Sequence, residues 1–173
     1  MIILGAYKNI RQTVREEFKA RGETYKNHII EWNALPTVTR IQRPTNLYKA
    51  KTLGYKAKDG VVLARVRIKK GRRKRARPDG GRKPAKSGSF FSRGKSLRAI
   101  AEEKAARKFL NCEVLNSYYA GETGDRRYYE IILLDRNSPR INSDKFFSKI
   151  IRQKGRAQRG LSIAGRKYRG LEG

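Results

Sequence analysis

Residues 70–94 run for 25 positions with no apolar repeat at either the helical or the strand period. The stretch Lys70-Gly71-Arg72-Arg73-Lys74-Arg75-Ala76-Arg77-Pro78 gives way to Gly80-Gly81-Arg82-Lys83-Pro84 and then Ser87-Gly88-Ser89. Nothing in it can bury enough apolar surface to offset the entropy of ordering it. Extended at about 3.3 Å per residue, it reaches roughly 80 Å. A loop this long inside a compact domain points to an ordering agent outside the chain. The polypeptide therefore divides into a body built from both flanks and an insertion that the body does not fold by itself.

Charge follows the same division. The chain carries 43 Lys and Arg against 15 Asp and Glu, a net of +28 over 173 residues. Residues 61–95 hold +13 and residues 152–173 hold +6, whereas residues 96–151 hold only +2 and residues 1–60 hold +7. This is the pattern of a compact body with one internal and one terminal cationic extension. Its natural partner is strongly negative: nucleic acid, an anionic membrane surface or an acidic protein. A lipid surface is disfavoured, because no basic amphipathic helix with a bulky apolar face is present. No run approaches the roughly 18 apolar residues of a membrane span. The start, Met1-Ile2-Ile3-Leu4-Gly5-Ala6, lacks the basic region and the length of a signal peptide. The lone Cys112 excludes a disulfide framework and a cysteine-based zinc site, and it points to a reducing compartment.

Periodicity predicts the elements of the body. Tyr7, Ile10, Val14 and Phe18 share one helix face over residues 7–20, with Lys8, Arg11, Arg15 and Lys19 away from it and Gly22 as the stop. Thr24 is the expected N-cap of a second helix, which Pro36 ends. Residues 37–41 read as a short strand, and Pro44 opens a short helix stopped by Gly54. In residues 61–69, Val62, Ala64, Val66 and Ile68 alternate with Leu63, Arg65, Arg67 and Lys69. The expectation is a strand with one face on a core and the other toward phosphate. Ser96 caps a helix to about residue 109. Residues 113–120 and 128–135 form a hairpin with a seven-residue loop, and residues 143–151 form a short helix. The fold class is α+β, a small mainly antiparallel sheet with packed helices. The expected organisation is an N-terminal helical segment (1–36), a body (37–151) interrupted by the basic extension 70–94, and a basic, Gly-rich C-terminal extension (152–173). Neither extension is expected to protect its amides when the chain is alone.

Catalytic groups are sparse. The only histidine, His28, lies mid-helix among Tyr25, Ile29 and Trp32. Glu16-Glu17 and Glu102-Glu103 are adjacent on helices, so each pair diverges. They read as solvated groups or as partners of neighbouring Lys and Arg. Cys112 has no local histidine and reads as a small core residue. The Gly-Arg-Lys clusters lack P-loop spacing. An enzyme is therefore disfavoured. A DNA architectural protein is disfavoured too, for want of a recognition helix or a minor-groove wedge. Arginine forks onto phosphate, lysine acts as a mobile charge, and glycine admits close backbone approach. Phe90, Phe91, Tyr55 and Tyr168 flank the basic runs, where they can stack on unpaired bases or pack in the body.

Specific motifs add to this reading. The stretch Arg40-Ile41-Gln42-Arg43-Pro44-Thr45 continues into Leu47-Tyr48-Lys49-Ala50-Lys51-Thr52-Leu53-Gly54-Tyr55-Lys56-Ala57-Lys58-Asp59-Gly60. It resembles the signature of the large-subunit ribosomal protein family fifteen-e of archaeal and eukaryotic ribosomes. Gly5-Ala6-Tyr7-Lys8, Ala101-Glu102-Glu103-Lys104-Ala105, Val114-Leu115-Asn116-Ser117-Tyr118 and Ala164-Gly165-Arg166-Lys167-Tyr168-Arg169-Gly170-Leu171 are similar as well, in the same order. The chain has Tyr48 where the family often has an acid, and it ends at Gly173 where relatives continue into a basic tail. The resemblance implies a four-stranded α+β body whose extensions thread ribosomal RNA, with large-subunit RNA and neighbouring large-subunit proteins as partners. It implies no membrane, no small-molecule substrate and no cofactor, magnesium entering only with bound RNA. Carried over as RNA-contacting are Lys49, Lys51, Tyr55, Lys56 and Lys58. The residues themselves add Arg65, Lys69, Lys70, Arg72, Arg73, Lys74, Arg75, Arg77, Arg82, Lys83, Arg93, Arg159, Arg166, Lys167 and Arg169.

Overall fold

The computed structural model describes residues 2–71, 80–81 and 94–171, with side chains from residue 5 onward. Of the expected RNA-contacting residues, Arg72, Arg73, Lys74, Arg75, Arg77, Arg82, Lys83 and Arg93 lie outside the described residues, as do Phe90 and Phe91.

Four strands carry the body: β1 (Val38–Ile41), β2 (Val61–Lys69), β3 (Cys112–Glu122) and β4 (Arg126–Asp135). They form one sheet in the order β1-β2-β4-β3, antiparallel at every neighbouring pair. The α+β expectation is met. β2 and β4 pair along their whole length, from Val61 opposite Leu134 to Lys69 opposite Arg126. The β3–β4 connection is only residues 123–125, shorter than the seven expected. The strands continue because their terminal charges are paired: Arg127 Nε lies 2.9 Å from Glu122, and Arg126 Nε lies 3.1 Å from Asp125. Bulges at Val114/Asn116 and Tyr119/Gly121 bend β3, as an extra unpaired residue does.

Helices cover both faces of the sheet. On one face, α4 (Leu97–Lys108) lays Ala101 and Ala105 against Ala64, Val66, Ile68, Ile131 and Leu133. The alanines allow close approach, and Ser96 caps the helix by accepting from Ala99 N at 3.2 Å. On the other face, α5 (Pro139–Asn142) and α6 (Lys145–Ile151) set Ile141, Phe147, Ile150 and Ile151 on Leu63, Leu115, Ile132 and Leu134. Further along that face, Trp32 of α2 (Glu23–Ala34) covers Ala120 and Tyr128. α1 (Ile2–Ala20) lies beside α3 (Leu47–Thr52), which Asn46 caps by accepting from Lys49 N at 2.9 Å. The helix expected at 143–151 is α6, which Asp144 caps, and the short α5 precedes it without having been expected. Between α1 and α2 it is Arg21, at φ 49°, that takes the left-handed turn, and Gly22 rather than Thr24 stands at the start of α2.

Two expectations are corrected. The face of β2 that carries Arg65 and Arg67 is not turned to an outside phosphate surface. Arg65 lies under Trp32 with its guanidinium 4.1 Å from the ring centroid, and Arg67 Nη1 donates to Asn33 O at 2.7 Å. Residues 152–171 are likewise no free extension. They form a run of turns and α7 (Ile163–Tyr168), and Ala157, Ser162 and Ala164 are buried. Two carboxylates of the body hold this segment. Glu113 accepts from Gly155 N at 3.0 Å and Arg156 N at 3.2 Å. Glu102 accepts the hydroxyl hydrogens of Ser117 and Ser162, and Ser162 Oγ in turn caps α7 by accepting from Gly165 N at 3.1 Å. Gly165 sits so tightly that a Cβ there would meet the Gly160 backbone at 2.6 Å. The segment packs through small residues and long-range polar bonds, so it carries no hydrophobic period.

Candidate nucleic-acid interface

Of the twelve described residues of the expected site, eleven fall into three regions rather than one. The first is α3 and the loop after it. Lys49 is exposed on α3, and Lys51 sits 5.0 Å from the centroid of the Tyr7 ring and donates to its hydroxyl. Tyr55 is half-buried against the Ile141–Phe147 core. Lys56 and Lys58 reach Asp144 at 3.2 and 2.8 Å and lie over the Phe147 ring. The second is the end of β2, where the insertion departs. Lys69 is exposed, and Lys70 pairs with Glu122 at 3.3 Å. The third is α7 and the turn before it. Arg159, Arg166 and Lys167 are exposed, and Arg169 Nη2 donates to Gly160 O at 2.9 Å. Arg65 belongs to none of these, because it is paired inside the protein.

Asp144 decides how two of these lysines are presented. Its carboxyl is held well below the usual range, first by the hydrogen bond from Lys58, then by Lys56 and the amides of Phe146 and Phe147. A folded value below the unfolded one gives stability that is present above the unfolded carboxyl value, about 3.9, and is lost as pH falls beneath it. Asp144→Asn should therefore melt below the parent at pH 7, and the two melting curves should converge as pH drops from about 4 toward 2. Parallel curves across that range would rule the lysine pairing out as the source.

The buried ionisable groups do structural work. Glu102 is raised by burial and Arg98 lowered by burial; Arg98 Nε donates to Ser117 Oγ at 2.8 Å beside it. Tyr118 is raised by burial and then by Glu130, to which it donates. His28 stacks on Trp32 at 5.8 Å. Burial and then Asp135 raise the Cys112 thiol, the opposite of what a thiolate nucleophile needs. Among the described residues, no three His, Cys, Asp or Glu side chains gather as a metal-holding group, and no helix is long and apolar enough to cross a membrane.

One cationic surface is missing from the sequence-derived residue set. Lys8, Arg11, Arg15 and Lys19 are all exposed on α1, and at spacings of three and four residues they form one stripe. The signal is present in the sequence as spacing, since these four residues lie away from the apolar face of the helix.

An α+β body of this build, basic on exposed parts of several elements, has close counterparts. The family model described as Ribosomal L15 matches residues 5–173. The large ribosomal subunit protein eL15 of Metallosphaera sedula is 47% identical over 174 residues, covering 98% of this chain and 80% of that one. The chain belongs to the ribosomal L15e family.

Proposed function

We propose that the chain is a structural constituent of the large subunit of the cytoplasmic ribosome, not an enzyme, and that it binds and stabilises folded ribosomal RNA. The observation that carries this is the net charge of +28, with exposed cations on α1, α3, the end of β2 and α7. Family membership supports the same reading. Cationic side chains let RNA segments approach one another despite their mutual repulsion. The body fixes where those side chains, and the insertion at 70–94, meet the RNA. Most contacts go to phosphate and sugar, so RNA shape supplies selectivity. Large-subunit RNA and neighbouring large-subunit proteins are the partners. Magnesium enters only with the RNA, and no small-molecule substrate is involved.

The full chain should sediment with large ribosomal subunits through a high-salt cushion. Its binding to large-subunit RNA should weaken with salt on a log–log slope of roughly −7 to −9, as for about ten neutralised phosphates. Equal affinity for duplex DNA at matched salt would favour a DNA architectural role instead.

A further inference from the structure

A groove of about 450 Å³ lies where α1, α3 and β3 meet. Phe18, Tyr48, Tyr118 and Tyr119 line it with four rings, and Arg11, Arg15 and Lys49 line it with three cations. No carboxylate is among its lining residues. Tyr119 is 41% exposed, yet its ring is fixed by contacts with Phe18 and Tyr129, each at 6.1 Å between centroids. Arg11 sits 5.6 Å from the centroid of the Tyr48 ring. Glu122, the nearest charged neighbour along β3, is engaged by Arg127 and Lys70, and Glu130 is buried beneath Arg65. Flat apolar rings held in place and rimmed only by cations match a ligand that is itself a flat ring on an anionic chain. The basic stripe of α1 continues from this groove past Lys8 and Lys19, with Glu16 the one carboxylate among four cations there, and so extends the track available to a phosphate backbone.

We propose that the groove takes one unpaired RNA nucleotide, its base stacked on Tyr119 and Tyr48 and its flanking phosphates met by Arg11, Arg15 and Lys49. This rests on the RNA-binding reading above, and it assigns to α1 and α3 a role beyond charge neutralisation: they select a splayed-out base over continuous duplex. The α-helical stripe alone would bind duplex and single strand alike, because both present phosphates. The rings distinguish them, because a base inside a duplex has no free face to offer.

The test uses the full chain with two probes of equal phosphate count, a short oligoadenylate RNA and an RNA duplex. Tyr119→Ala should weaken oligoadenylate binding by roughly 5- to 100-fold while duplex binding stays within about twofold. Tyr119→Phe, which keeps the ring, should bind as the parent does. Tyr48→Ala provides a second variant at a different position and should show the same selectivity. Unchanged oligoadenylate binding in both alanine variants, or parallel loss of both probes, would overturn the proposal. The parent chain serves as a separate control. If it fails to bind large-subunit RNA at all, the RNA-binding reading falls; if it binds that RNA and the ring variants behave like it, only the groove assignment falls.

Discussion

Replacing Glu130 with alanine is expected to destabilise the chain by roughly 3–5 kcal/mol and to lower its melting temperature by about 6–20 °C. Glu130 is fully buried on β4, the strand paired on both sides. Its carboxylate accepts from Arg65 Nη2 at 2.9 Å, Thr45 N at 3.0 Å, Thr45 Oγ1 at 2.5 Å and the Tyr118 hydroxyl. Truncation would leave the Arg65 guanidinium, 13% exposed, as an uncompensated charge beneath Trp32. The Thr45 amide and the Tyr118 hydroxyl would lose their acceptor too. A paired change, Glu130→Leu with Arg65→Met, should recover a large part of the loss, because it removes both charges together. It should not recover everything, since each polar group left unsatisfied costs about 1–3 kcal/mol. Urea unfolding of the two variants measures this, and a loss under about 1 kcal/mol for the alanine variant would show that the carboxylate does not organise this face. The same residue reaches the proposed RNA-binding surface. Thr45 immediately precedes Asn46, the cap of α3, so Glu130 sets where Tyr48 and Lys49 stand.

The network also shows where reading the sequence reaches its limit. The run Ile131-Ile132-Leu133-Leu134 has no alternation, and an unalternating strand is one buried on both sides. Taken seriously, that run already implies helices on both faces of the sheet, and so it argues against an open cationic face on the strand beside it. Alternation in β2 pointed the other way, because Arg65 and Arg67 look like solvent positions when read locally. Their partners are distant: Glu130 is 65 positions from Arg65, and Asn33 is 34 positions from Arg67. Capping was more legible, because Ser96 lies three residues from the amide that it satisfies. The same holds for Gly54, whose φ of +95° ends α3 where a glycine was expected to end it. The exposed cations were legible in kind, but not where the fold gathers them. The basic residues of α1 were visible as a stripe, whereas the groove beside them needs β3 to bring Tyr119 across. No periodicity within α1 encodes that meeting.

Hydrogen exchange on the chain alone should find the amides of Gly155, Arg156, Leu161 and Gly165 protected, although the segment that contains them is basic and Gly-rich. Each has a protein acceptor: Glu113 for the first two, Arg156 O at 2.9 Å for Leu161, and Ser162 Oγ for Gly165. An extension ordered only by RNA would exchange at these positions like an unfolded chain, and that result would remove the segment from the body. Glu113→Ala is the sharper version. It strips the acceptor from two half-buried amides and leaves Arg136, 3.1 Å from that carboxylate, without its ion pair. The expected loss is roughly 2–5 kcal/mol of stability, with protection at Gly155 and Arg156 lost first. The physical point concerns which cations are pre-placed. Arg159 and Lys167 reach solvent from a segment anchored by Glu113 and Glu102, so holding that segment in position costs little further entropy when a polyanion arrives. If that is correct, Glu113→Ala should weaken RNA binding as well as folding, even though Glu113 itself carries the wrong charge to touch RNA.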